Sequence, residues 1–99
     1  MLKILLIIFL SSTFLLAAKN PTMSNGVSQF TVGLSYAKGK GVNQDYQKAV
    51  EWFTKSAELG YDKAQYRLGV YLYNGQGVEQ NVEQAAKWFK KAALQKNSK

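Results

Sequence analysis

"GKGVNQDYQKAVEWFTKSA", residues 39–57, returns thirty-six residues later as "GQGVEQNVEQAAKWFKKAA", residues 75–93. Both stretches hold two glycines, a valine and a glutamine, then Ala-x-x-Trp-Phe-x-Lys-x-Ala at the same places. The match runs outward through Gln29 with Gln65, Gly33 with Gly69 and Lys63 with Lys99, so that 12 of the 35 pairs between 29–63 and 65–99 are identical. Unrelated stretches of ordinary composition would share about two or three. A fixed period of this length marks an array of stacked supersecondary units.

Each unit has the pattern of two helices. After Asp45, the apolar residues Tyr46, Ala49, Val50, Phe53 and Ala57 fall on one helical stripe. Asp45 stands where a side-chain oxygen caps the first free N–H groups, and Gly60 where a helix ends. The second copy has Asn81 as cap, Gln84 three residues later, and Val82, Ala85, Ala86, Phe89 and Ala93 on the stripe. A shorter partner helix is predicted over Ser28 to Lys38, and its equivalent over Lys63 to Asn74. Gly33 and Gly69 lie inside these, each at a cost of about 1 kcal/mol relative to alanine. Glycine at the same phase twice predicts the close passage of another helix backbone, and Trp52 and Trp88 are expected to fill the space between helix layers.

The glycines of 39–41 resemble a phosphate-binding loop only superficially. Five residues separate Gly33 from Gly39, where a P-loop has four, and Lys40 is followed by Gly41 instead of Ser or Thr. Gln76 replaces Lys40 in the second copy, so backbone freedom recurs and the charge does not. An inter-helix turn with positive φ is the expected role. Ser35-Tyr36-Ala37-Lys38 fits the S-x-x-K pattern of penicillin-recognising serine enzymes, with Ser35 as nucleophile and Lys38 as base. Neither S-D-N nor K-T-G accompanies it, and the repeat aligns the pair with Tyr71 and Asn74.

The run Ala64, Leu68, Gly69, Gly75, Gly77, Val78, Ala85, Trp88, Lys91, Ala92 and Ala93 resembles the Sel-1-like repeat, a relative of the tetratricopeptide repeat. Copy one matches at Gly33, Tyr36, Gly39, Gly41, Val42, Asp45, Lys48, Ala49, Trp52, Lys55, Ala57 and Gly60. The departures are Ser28 for alanine, Leu72 for tyrosine, Asn81 for aspartate and Lys96 for the closing glycine. The expected fold is therefore all-α, a helical-hairpin repeat solenoid, with repeat one over 28–63 and repeat two over 64–99. The resemblance also implies that a protein or peptide partner binds along a concave groove lined by the first helices. Phe30, Leu34 and Ala37 form that ridge in copy one, with Tyr66, Val70 and Tyr73 in copy two, and Lys38 and Asn74 at its edge. Phe30 and Tyr66 have a second expected role, in the interface between adjacent first helices.

The opening residues 1–18 have one charge, Lys3, then an apolar run from Ile4 to Leu16 and the small residues Ala17 and Ala18. That is the layout of a secretory signal peptide, with an uncleaved membrane anchor as the alternative. Residues 19–27 carry Pro21, Gly26 and short polar side chains without periodicity, and are expected to be a flexible N-terminus of the mature chain. The expected location is periplasmic or secreted.

Removal of 1–18 leaves twelve basic and six acidic residues, including Lys87, Lys90, Lys91, Lys96 and Lys99 near the C-terminus. For an exported chain this charge points to an anionic envelope surface or an acidic protein face, not to nucleic acid. Contact with a membrane would come only through an uncleaved N-terminus or the basic C-terminal helix. The chain has neither cysteine nor histidine. Disulfides, Cys or His nucleophiles, a His general base and the soft ligands of structural zinc are thereby excluded. No cofactor, metal site or catalytic residue is expected, and the function expected is a non-catalytic protein-interaction module. The alternatives are an envelope hydrolase or penicillin-binding activity, and a cationic binder of anionic envelope surface. Two repeats are few for a solenoid, so self-association or docking through an open end is a further expectation.

Overall fold

The structure is a computed structural model and describes residues 21–97. Its order is α1 (Pro21–Lys38), α2 (Tyr46–Glu58), α3 (Asp62–Asn74) and α4 (Val82–Asn97), with no strand among the described residues. Helix α1 pairs with α2 and α3 with α4; α3 packs on α2 and touches α1, whereas α4 packs on α3 alone. The result is the all-α helical-hairpin repeat arrangement expected from the sequence. The apolar run within 1–18 lies outside the described residues. No helix among the described residues is long and apolar enough to cross a membrane.

The caps sit where the sequence puts them. Lys48 N–H donates to Asp45 Oδ1 at 3.1 Å, and Gln84 N–H donates to Asn81 Oδ1 at 2.9 Å. Gly75, at φ 67°, closes α3 in the left-handed conformation that other residues adopt only with strain. Between the helices of each unit a second device recurs. Gln44 Nε2 donates to Ala37 O at 2.9 Å, and Gln80 Nε2 donates to Tyr73 O at 2.8 Å. The backbone bonds follow suit, from Asp45 N–H to Tyr36 O at 2.9 Å and from Asn81 N–H to Leu72 O at 2.8 Å. These bonds satisfy carbonyls that the end of a helix leaves without partners.

The core is built around one ring. Phe53 has no exposed surface and sits among Ala49, Val50, Ala57, Ala64, Leu68, Tyr71 and Leu72. It stacks on Tyr71 at 5.6 Å between centroids and 13° between planes, and Phe30 tilts against it at 5.5 Å. A Cβ on Gly33 would stand 2.6 Å from Phe53 Cε1, and one on Gly69 would stand 2.6 Å from Phe89 Cε1. The neighbour that demands these glycines is thus an aromatic side chain, not the helix backbone expected from the sequence. The tryptophans depart from expectation in part, since Trp88 packs against the core and Trp52 does not belong to it. Trp52 and Trp88 are half-buried, and their rings carry the ammonium groups of Lys55 at 4.5 Å and Lys91 at 4.7 Å. Phe53 fills the interlayer space, while each tryptophan carries a cation on its face.

Helix α1 begins seven residues before Ser28, so 21–27 are helical where the sequence suggested an irregular segment. Proline is compatible with a first helical turn. Gly26 is buried because Tyr61 packs on it: a Cβ there would lie 3.2 Å from Tyr61 Cβ. The Ser56 hydroxyl donates to Gly26 O from the neighbouring helix. Tertiary contact supplies what the local sequence lacks.

Candidate functional site

The residues expected to form a groove are divided by the structure into two groups. Tyr66 and Tyr73 on α3 are 58% and 53% exposed, which is unusual for large rings, and Val70 lies half-buried between them on the same helical row. Asn74 is exposed at the end of that row. In repeat one, Phe30 and Leu34 are half-buried and pack against the core, and Phe30 meets the edge of Tyr61 at 5.2 Å. Ala37, which the sequence placed on the ridge, is 8% exposed and belongs to the core. Lys38 is exposed at the end of α1. Thus α3 presents a row of rings to solvent, whereas its counterpart in α1 is drawn inward by Phe53 and Tyr61.

Ser35 offers no sign of nucleophilic activation. Its hydroxyl donates to Thr31 O, one turn back in its own helix, at 3.3 Å. A hydroxyl held this way is satisfied by the backbone, as serines inside helices commonly are. Among the described residues no three carboxylates gather closely enough to hold a metal ion.

A cleft of about 600 Å³, not expected from the sequence, lies at the C-terminal end of the array. Its floor is apolar, from Tyr66, Phe89, Ala92 and Ala93, and it reaches Phe30 at one side. Lys63, Arg67 and Lys96 stand around it with Asp62. Periodicity did announce these floor residues, but as core. They are left open because no further helix covers α3 and α4 among the described residues. The difference shows in paired positions: Ala57 is 1% exposed, and its counterpart Ala93 is exposed to solvent.

A buried amide, Gln65, joins the two units from within. Gln65, 4% exposed, donates from Nε2 to Ala57 O at 3.2 Å and accepts from Gln95 Nε2 at 2.7 Å. Its counterpart Gln29 has a buried Oε1 with no hydrogen-bond partner among the described residues.

Comparison with solved structures places this architecture. A Sel1 repeat protein from Oxalobacter formigenes is 37% identical over 85% of the chain, with a TM-score of 0.70. The antigen c5321, a protective antigen of uropathogenic Escherichia coli with an SLR fold, is 39% identical over 80% of it, also at 0.70. Cysteine-rich protein B of Helicobacter pylori is 35% identical over 70%, at 0.68. The chain spans 34%, 16% and 52% of these three chains in turn. No curated protein matches it. The Sel1 repeat model matches residues 26–61 and 62–97, each unit beginning two residues earlier than the sequence division at 28 and 64. With two matched units, their paired caps and their paired glutamine bonds, the chain belongs to the Sel1 repeat family.

Proposed function

We propose that this chain is an exported, non-catalytic protein-interaction module that binds a protein or peptide segment along the first helices of its repeats. The observation that carries this reading is the exposed row Tyr66, Val70 and Tyr73 on α3. Large rings on a rigid helix offer contact area at small entropic cost, and tyrosine is enriched where proteins bind one another. Neither Tyr66 nor Tyr73 is needed to fill the core. Asn74 and Lys38 extend the surface with polar groups suited to a peptide backbone or an acidic side chain. Sel1 repeats are in general protein-interaction modules, which favours this reading over catalysis. The hydrogen bond of Ser35 to Thr31 O further weakens a penicillin-binding role. Export is proposed on the signal-like composition of 1–18.

The test is a photo-crosslinking amino acid placed at position 73 in the full chain, expressed in an envelope-bearing host. A discrete protein adduct is expected, and Tyr66→Ser in the same chain should remove it. Stoichiometric labelling of Ser35 by a reactive penicillin would instead establish the enzymatic alternative. Adduct formation that survives Tyr66→Ser but vanishes at moderate salt would indicate a cationic surface binder.

A further inference from the structure

Repeat one shows how this fold builds a seat for a helix. Phe30, Phe53, Ser56 and Ala57 form the seat, and α3 fills it. Tyr61 meets Phe30 edge-on at 5.2 Å, Tyr71 stacks on Phe53 at 5.6 Å, and Gln65 donates to Ala57 O. The same four positions in repeat two are Tyr66, Phe89, Ala92 and Ala93, and all four line the terminal cleft. The ring pair at its centre is retained: Tyr66 and Phe89 lie 5.5 Å apart at 48°, as Phe30 and Phe53 lie 5.5 Å apart at 43°. The cleft therefore repeats the seat that α3 fills in repeat one.

Its rim is different. Lys63, Arg67 and Lys96 on this rim take the repeat positions of the uncharged Val27, Thr31 and Gly60, and Asp62 takes that of Gly26. Two of these positions mark the start of the helix seated in repeat one, since Gly26 touches Tyr61 and Gly60 precedes it. Three cations and one carboxylate thus replace an uncharged rim at the place where a helix begins. Acidic residues in the first turn of a visiting helix would meet those cations and offset the helix's own positive end.

A second copy of this chain is a poor occupant. Its α1 contains no acidic residue and bears Lys38 in its last turn. At the places of Tyr61, Leu68 and Tyr71 it offers Asn25, Val32 and Ser35, which are smaller or polar.

We infer that the terminal cleft receives an amphipathic α-helix of a partner protein, with acidic residues at its start and apolar rings on its buried face. The inference rests on the chain being an interaction module, but it concerns a surface that shares Tyr66 with the α3 row and excludes Tyr73. Because Asp62 carries the Cβ that Gly26 lacks, the visiting helix needs a small residue where α3 has Tyr61.

The experiment uses the full chain and two fluorescent peptides, each lactam-bridged into a helix. Both carry the sequence of residues 61–74 with Tyr61→Ala, preceded by three glutamates in one and three glutamines in the other. Anisotropy should show the glutamate peptide binding at least tenfold more tightly at low salt, with the difference shrinking as salt rises. Ala93→Gln, which fills the seat without touching the core, and the surface pair Lys63→Glu with Lys96→Glu should each weaken it tenfold or more. Tyr73→Ser should leave it unchanged. The inference is overturned by equal affinity for the two peptides or by the absence of binding. It is equally overturned by binding that Tyr73→Ser removes and Ala93→Gln does not, which would assign the peptide to the α3 row. Sedimentation showing a dimer that Ala93→Gln dissociates would give the seat to a second copy.

Discussion

Gly33 and Phe53 are in contact across the first hairpin, with no room on the glycine for even a methyl group: a Cβ would stand 2.6 Å from the ring. Phe53 cannot yield, because it has no exposed surface and Tyr71 stacks on its far side. Gly33→Ala should therefore destabilise the protein by about 2–3 kcal/mol through overpacking, despite alanine's better helix propensity. Gly69→Ala meets Phe89 at the same distance, but that ring is half-buried beside an open cleft and can move, so the loss should be smaller. Urea denaturation of the two variants should rank them in that order, and the reverse order would contradict the packing described.

The two phenylalanines should separate in the same way when truncated. Phe53→Ala empties the middle of the core and should cost about 3–5 kcal/mol. Phe89→Ala removes a half-exposed ring and should cost roughly half as much. Equal losses in equilibrium unfolding would mean that the cleft over Phe89 is covered in solution.

The glutamine bonds between paired helices are open to a direct check. Gln44→Ala and Gln80→Ala each remove a donor from a helix-terminal carbonyl, Ala37 O or Tyr73 O. Each should cost about 1 kcal/mol, the usual net contribution of such a bond. Replacing the caps should act on a similar scale: Asp45→Ala and Asn81→Ala should each lose about 1 kcal/mol. Thermal melts of the four single variants would test whether the second unit depends on these bonds as the first does.

Gln29 and Gln65 occupy equivalent places with opposite balances. Gln65→Met would take one donor from Ala57 O, which keeps its bond from Gly60 N–H, and one acceptor from Gln95, and should cost about 1 kcal/mol. Gln29→Met would remove a buried oxygen that has no partner among the described residues, and should be neutral or mildly stabilising. A melting point that falls for both variants alike would show that Gln29 Oε1 is satisfied in solution.

Local chemistry made much of this legible in the sequence. Asp45, Asn81, the turn glycines and the stripe of α2 act through neighbours a few residues away, and the period of 36 exposes them twice. What escaped depends on how helices are rolled against one another. Ala37 looked like part of an outer ridge, yet the rotation of α1 against α2 turns it into the core. The first turns of α1 have the composition of a loop, and Tyr61 and Ser56 anchor them at Gly26. The identity of Gln44 with Gln80 was plain, but the carbonyl each reaches lies seven residues back across a turn. The cleft escaped altogether, because a pattern that announces a core residue says nothing about whether its cover is present.

The linkers set a quantum for the growth of this molecule. Each glutamine bond and each backbone bond from Asp45 or Asn81 closes within one hairpin, so a whole unit carries its own joinery. Adding or removing one entire copy leaves every such joint intact. Losing a single residue within α2 would turn everything beyond it by about 100° about the helix axis, carrying Phe53 away from Gly33. Length in this array can therefore change by whole units, and any fractional step dismantles the neighbour it was meant to join.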